Sequence, residues 1–323
     1  MAYRCIGLAL AVLGLDSAAL AEPFPVTDRS PVARIFAAPA ATHAAISRRD
    51  GLTFELALDW STYANVATEP GELLVLDGES VALTGRWRYV RNGWRFGLDM
   101  PLIYQSGGVL DGLIDGYHDL FGFPEGSRPS LGKDQLIYAY ERDGVRLLDV
   151  RGHSAGIGEA SVHLARQWRQ THTTDLSWRV HIKLPTGDSD RLLGSGTPGA
   201  GASVHAQTTR TWREREWRWF GGVGAQWHDG SDVLGDLHKR TVWSGYGGAQ
   251  WAMTPGVILR AQLDLRSAYF DSDVRGLGEA ATLTVGGDLR LASTWVLRIG
   301  VLEDILPRSA PDVVFQVSLL RSE

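Results

Sequence analysis

Five consecutive residues, Gly152-His153-Ser154-Ala155-Gly156, spell the G-x-S-x-G pattern. In an α/β-hydrolase that pattern turns a strand into a helix and strains a serine into an exposed nucleophile. Leu147 to Val150 could be the strand, but no HGGG-type oxyanion segment precedes the motif. After it, Ala160, Val162, Leu164 and Trp168 follow a period of two, the period of a strand, where the hydrolase needs a helix. A chain with 38 glycines also meets such a match easily, so a glycine turn is the reading the flanks favour. Charge offers a second chemistry. Arg86, Arg88, Arg95, Arg179, Lys183, Arg218, Arg260, Arg266, Arg290 and Arg298 fall on alternate positions of apolar runs, together with Asp99, Asp264 and Asp288. On the inside of a pore these would make a field that selects solutes. They could equally pair among themselves and plug a narrow interior, and spacing leaves both open.

Carboxylates also gather outside the apolar runs: Asp188 and Asp190, then Asp229, Asp232 and Asp236 flanked by His228 and His238, then Asp271 and Asp273. Flexible loops of this kind can take Ca²⁺. No run completes a Ca²⁺-loop pattern and no HExxH is present, so solvated loops are the simpler reading and no metal or cofactor is expected. From Val109 to Phe121 the residues Leu110, Leu113, Ile114, Tyr117 and Phe121 recur near 3.6 spacing, which predicts one short loop helix. Asp111, Asp115, Tyr117, His118 and Asp119 on it are candidates for a constriction at the mouth of a pore; a helix resting on the rim is the plainer alternative.

The elements that must position these groups are strands. Leu52, Phe54, Leu56, Leu58 and Trp60 alternate with Thr53, Glu55, Ala57 and Asp59. The same period of two runs through Val81–Tyr89, Trp94–Leu102, Leu176–Leu184, Leu259–Leu265, Leu283–Leu289, Trp295–Val301 and Val313–Leu319. Alternation gives each strand one apolar and one polar face. A soluble sandwich would alternate too, but these runs are longer than the usual five or six residues and suit a tilted membrane crossing. Trp60, Trp94, Trp168, Trp227 and Trp295 stand near predicted strand ends, where aromatic girdles meet lipid headgroups. Arg91-Asn92-Gly93, Thr254-Pro255-Gly256 and Ala292-Ser293-Thr294 read as tight turns, whereas 61–78, 105–134, 186–198, 228–239 and 271–279 read as longer connections. Long loops on one side and short turns on the other predict an all-β, antiparallel, up-and-down transmembrane barrel with both termini in the periplasm. The count is twelve strands if 135–150, with its Asp143-Gly144 turn, is an extracellular hairpin, and fourteen if that hairpin joins the wall. Its arms are short for a crossing, which favours twelve.

The first residues say where such a chain would go. Arg4, the apolar stretch Ile6 to Leu15 and the small-x-small pattern Ala19-Leu20-Ala21 predict a signal peptide over 1–21. Residues 22–50, rich in Pro and Ala and without a period, are expected to be a periplasmic tail or partial plug, and 51–323 the barrel. The only cysteine, Cys5, lies in the signal, which excludes a disulfide scaffold and a Cys-ligated metal from the mature chain. A formal charge of −5 gives no basic field for nucleic acid. At 44% hydrophobic and 21% charged, the chain is too apolar to be disordered.

Four segments carry a family resemblance: PLIYQSGGVLDGLIDGYHDLFGFPEGSR (101–128), HIKLPTGDSDRLLGSG (181–196), YFDSDVRGLGE (269–279) and APDVVF (310–315). Over most of the mature length the chain resembles an uncharacterised family of Gram-negative outer-membrane β-barrels, filed as a domain of unknown function. The KLPTGD element is also similar to one in barrels linked to aromatic-compound degradation, which implies a channel. The resemblance implies fold, outer-membrane location, lipid contact and passage through the barrel-assembly machinery, and it brings no functional residues. The chain departs from the usual barrel in ending Leu319-Leu320-Arg321-Ser322-Glu323, with Phe315 as its last aromatic. The expected function is a passive channel or uptake route for a small, apolar or aromatic solute. The alternatives are a lipid hydrolase using Ser154 and a structural or adhesive barrel with a plugged lumen.

Overall fold

The computed structural model describes residues 23–108, 135–212, 215–306 and 310–322. Its strands are β1 (Gly51–Glu69), β2 (Glu72–Arg91), β3 (Trp94–Ser106), β4 (Ile137–Arg142), β5 (Val145–Arg151), β6 (Ser154–Ile157), β7 (Ala160–Gln170) and β8 (Thr174–Leu184), followed by β9 (Gly199–Trp212), β10 (Arg215–His228), β11 (Thr241–Thr254), β12 (Val257–Arg266), β13 (Ala280–Arg290), β14 (Trp295–Asp304) and β15 (Val313–Ser322). All belong to one antiparallel sheet in which β3 pairs with β7 and β7 to β15 follow in chain order. Pairing of β15 with β1, from Thr53↔Ser322 to Thr62↔Val313, closes the sheet into a barrel. Closure leaves no sheet edge along the wall, the condition for crossing a bilayer with strands.

Twelve strands make the wall, and β4, β5 and β6 add height instead of staves. β3 pairs with β2 only as far as Glu79↔Ser106, and beyond that point β4 takes its place, from Asp77↔Ile137 to Glu72↔Arg142. β5 pairs with β4, while β6 and β7 pair with β3, so the next column is built from three strands laid end to end. The hairpin at Asp143-Gly144 therefore stands on top of the barrel, and the fourteen-strand alternative falls away.

One connection differs from expectation. Residues 61–78 were expected as a long loop, yet β1 and β2 continue in register from Ser61↔Ser80 to Glu69↔Glu72. Their extensions stay ordered because Tyr63, Ala67, Leu74 and Leu76 bury against Tyr138, Tyr140, Leu192, Val233, Tyr269 and Phe270. This apolar core caps the long-loop end, and its partners are remote in sequence. At the opposite end the turns are tight: Asn92 (φ 51°) and Gly93 (φ 75°) form a two-residue connection in the left-handed region that Asn-Gly adopts readily.

The barrel is inside out relative to a soluble domain. Its outer face exposes Leu56, Phe96, Ile182, Val223, Val285 and Ile299 among others, with Trp243 the most exposed at 65%. Its inner face is polar and buried. An apolar belt of this extent has no aqueous explanation and matches hydrocarbon. The described helix, α1 (Pro31–Arg34), lies in the N-terminal segment; the helix expected over Val109 to Phe121 falls outside the described residues.

Candidate functional site

Strand parity turns Glu55, Asp59, Arg86, Arg95, Gln105, Arg179, Gln226, Arg260, Gln262, Asp288, Arg298 and Gln316 inward, and every one is buried. What buries them is residues 23–50, which run up and back down inside the barrel. Asp50 starts at the short-turn end, where its Oδ1 accepts a bond from the Asn92 N–H at 2.9 Å. Gln170 and Gln167 at the same end of β7 accept from Arg48 Nε (2.6 Å) and the Ile46 N–H (3.1 Å). Higher up, Arg95 Nη2 donates to Thr42 Oγ1 at 3.1 Å, and Arg179 Nη2 donates to the Ala40 carbonyl at 2.8 Å. At the long-loop end Gln226 Nε2 donates to the Phe36 carbonyl at 2.8 Å, and Arg34 meets Gln105 across the lumen.

The chain reverses there through α1, whose first residue is Pro31, a position where a missing N–H costs nothing. On the descending limb Arg29 pairs with Asp59, and Asp28 Oδ2 with Arg266 Nη2 at 2.5 Å. Arg86 Nη2 donates to the Pro25 carbonyl at 3.2 Å, and Arg298 Nη1 to that of Pro23 at 3.3 Å. Gln262 holds both backbone groups of Phe24, accepting from its N–H at 2.8 Å and donating to its carbonyl at 3.0 Å. The Phe24 ring is fully buried, with the Arg260 guanidinium 4.9 Å from its centroid. Runs of alanine between 37 and 45 keep this segment thin enough to share the lumen with inward arginines.

The charged residues singled out by spacing do come together on the inner face, mostly as ion pairs. Asp288 Oδ2 accepts from Arg260 Nη2 at 2.9 Å and its Oδ1 from Arg298 Nε at 2.8 Å, all three without solvent exposure. Glu55 joins the same group, 3.4 Å from Arg86 and 3.9 Å from Arg298. Asp99 is held by Arg88 at 2.5 Å and by His163 Nε2 at 3.0 Å. Arg218 pairs with Glu216 at 3.1 Å, and Asp264 accepts from Gln262 Nε2 at 2.9 Å. Lys183 is different: it is wholly enclosed, its Nζ donating to Glu159 Oε1 (3.1 Å) and Ser195 Oγ (2.6 Å), so its charge ties down the 185–197 loop and faces no open space. Arg290 stands half-buried at the short-turn end of β13. Asp111, Asp115, Tyr117, His118 and Asp119 lie outside the described residues.

Ser154 lies on the four-residue β6 and is followed by another strand, so the strand-turn-helix geometry of a nucleophile elbow is not formed. Its Oγ accepts from Gln105 Nε2 at 2.7 Å, while neighbouring His153 turns to the Tyr104 hydroxyl at 3.4 Å. Among the described residues no three His, Asp or Glu side chains stand together as a metal would require.

Sequence reasoning missed the groups that grip the N-terminal segment: Phe24, Phe36, Glu55, Asp59 and the glutamines Gln105, Gln226 and Gln262. The available signal was glutamines on the inward face of the strands, which need hydrogen-bond partners once buried. It also missed the aromatic cage at the tip. Phe36 stacks on Tyr269 (centroids 4.3 Å) and on His238 (5.1 Å), with His228 edge-on at 4.9 Å. Burial, helped by the Arg240 and Lys183 charges, lowers the His238 imidazole to about 4.

Comparison with solved structures gives the same architecture. The COG4313 outer membrane channel from Pseudomonas putida F1 matches with a TM-score of 0.55 at 13% identity, over 86% of this chain and 97% of that one. The NanC porin matches at 0.47 and 7% identity (83% and 99%), and the CymD monoaromatic hydrocarbon channel at 0.40 and 12% (85% and 89%). The fold alone is established, and by the first of these likenesses. No curated protein matches the sequence. The family model for a protein of unknown function, DUF3187, covers residues 8–321, and the chain belongs to that family.

Proposed function

We propose that the protein is an outer-membrane channel or uptake route for a small solute, held closed in this conformation by its own residues 23–50. One observation carries the reading: the inner wall spends its hydrogen bonds on a segment that, among the described residues, is continuous with the wall only at Gly51. That segment can withdraw without breaking a single wall-to-wall pairing, so the barrel survives its departure. The long-loop end faces outward, the short turns face the periplasm, and the Leu- and Trp-rich outer face meets lipid. Export on the signal at 1–21 and insertion by the barrel-assembly machinery belong to the same reading.

The test is conductance in planar bilayers of the full chain and of a variant lacking 23–47. The full chain should be silent or open briefly, and the deletion variant should conduct steadily. A deletion variant that still shows a folded barrel's gel shift but passes no current sinks the proposal. A static, structural barrel then becomes the better account. That second reading is favoured by the buried pairs Asp28–Arg266 and Arg29–Asp59, which bind segment to wall.

A further inference from the structure

We propose that the cavity between the N-terminal segment and the wall at Arg179 binds a small carboxylate. The proposal deepens the transport reading by naming a class of solute. It rests on that reading for the route by which the anion arrives, not for the binding itself.

Arg179 is inward on β8 and 5% exposed. Its Nη2 reaches the Ala40 carbonyl, a neutral acceptor, while its Nε is buried with no partner. Among the described residues no carboxylate lies within ion-pair distance of it. Arg86 and Arg88 line the same cavity, but Glu55 and Asp99 already hold them. Of these three guanidinium groups only that of Arg179 faces no carboxylate, and Glu55 is the one carboxylate in the lining. Arg321 also lines it, though that guanidinium turns over the Trp295 ring. A buried, uncompensated guanidinium is among the costliest arrangements in a protein and calls for an anion. Its planar fork matches a two-oxygen carboxylate head.

The rest of the lining sets the class further. Ala40, Ala41 and Pro25 of the segment face Val296 and Leu320 of the wall, an apolar flank suited to a short hydrocarbon stem and unsuited to phosphate. The free volume is about 50 Å³, room for roughly three or four waters. A carboxylate with one or two further carbons is of that size. Thr53, near the short-turn end of β1, also lines the space, so it lies toward that end of the barrel.

The experiment is calorimetric titration of the full-length protein in detergent with sodium propionate at constant ionic strength, with phosphate and chloride as parallel titrants. Saturable propionate binding is expected, weakened at least tenfold by Arg179→Gln and unchanged by Arg210→Gln on the outer face of β9. Ala41→Leu, which fills the cavity and keeps every charge, should also abolish it, so the test survives if Arg179→Gln does not fold. Absence of binding to the parent protein, or equal affinity in the parent and Arg179→Gln, overturns the site. Saturation by phosphate but not propionate overturns the ligand class. Propionate binding alongside a non-conducting deletion variant would end the transport reading and leave the site standing.

Discussion

Asp288 holds two arginines at once, and that makes it the residue whose loss should be felt most on the inner wall. Arg260 and Arg298 have no exposure to water, so Asp288→Asn puts a neutral amide in place of the carboxylate they share, with Glu55 3.9 Å from Arg298 the nearby anion. Breaking a buried pair by removing one partner costs about 3–5 kcal/mol. The midpoint of urea unfolding, followed by loss of the gel-shifted form, should fall accordingly. The companion change Arg298→Met should cost less, because Asp288 keeps Arg260. A second residue-scale expectation concerns pH. The His238 imidazole titrates near 4 when packed against Phe36 and near the ordinary 6.5 when released. The released state therefore binds protons first. The contribution of His238 to docking is complete above pH 6.5 and is lost as pH falls toward 4. Amide exchange over 229–240, corrected for intrinsic rates, should be faster at pH 5 than at pH 7 in the parent protein and less pH-dependent in His238→Gln, which keeps His228 in the cage. The same pH dependence in both proteins would count against the cage.

At the scale of elements, the fit between the descending limb and β14 can be tested at Gly300. A Cβ built there would lie 3.0 Å from Phe24 Cε1, inside ordinary contact, while Gln262 holds the Phe24 backbone and the Arg260 guanidinium lies over its ring. Gly300→Val should displace the limb without unpairing β14, since the change points inward and both strand partners stay in register. The expected outcome is a folded barrel whose residues 23–36 become accessible to protease, with increased conductance. Continued protection would mean that Phe24 is no anchor. The extensions of β1 and β2 illustrate how an element can outgrow its local signal. Beyond Ser61 the strands are held by the cap formed with Tyr138, Tyr140 and Tyr269.

For the whole molecule, closure through β1 and β15 together with a packed lumen predicts unusual resistance to detergent. Unheated protein should migrate differently from boiled protein on SDS gels, and deleting 23–47 should lower the temperature of conversion without abolishing the shift. No shift in any form would overturn the closed barrel itself.

Several features were legible in the chain alone because they depend on neighbours two residues apart. Alternation placed Leu56, Leu58 and Ile299 on one face and Glu55, Asp59 and Arg298 on the other, and with the Asn92-Gly93 and Asp143-Gly144 turns this sufficed for a twelve-strand barrel and its inner charges. What those charges do was not legible. Arg260 and Arg298 meet at Asp288, and Gln262 meets Phe24 across 238 residues of sequence, through a Pro- and Ala-rich segment that has no period to read. Likewise, only tertiary packing makes β1 and β2 continue past Ser61, encloses Lys183 with Glu159, and leaves Arg179 facing a backbone carbonyl. The physical reason is the same in each case. The face of a strand is set by local geometry, whereas the partner of an inward side chain is set by whatever the closed barrel brings to its axis.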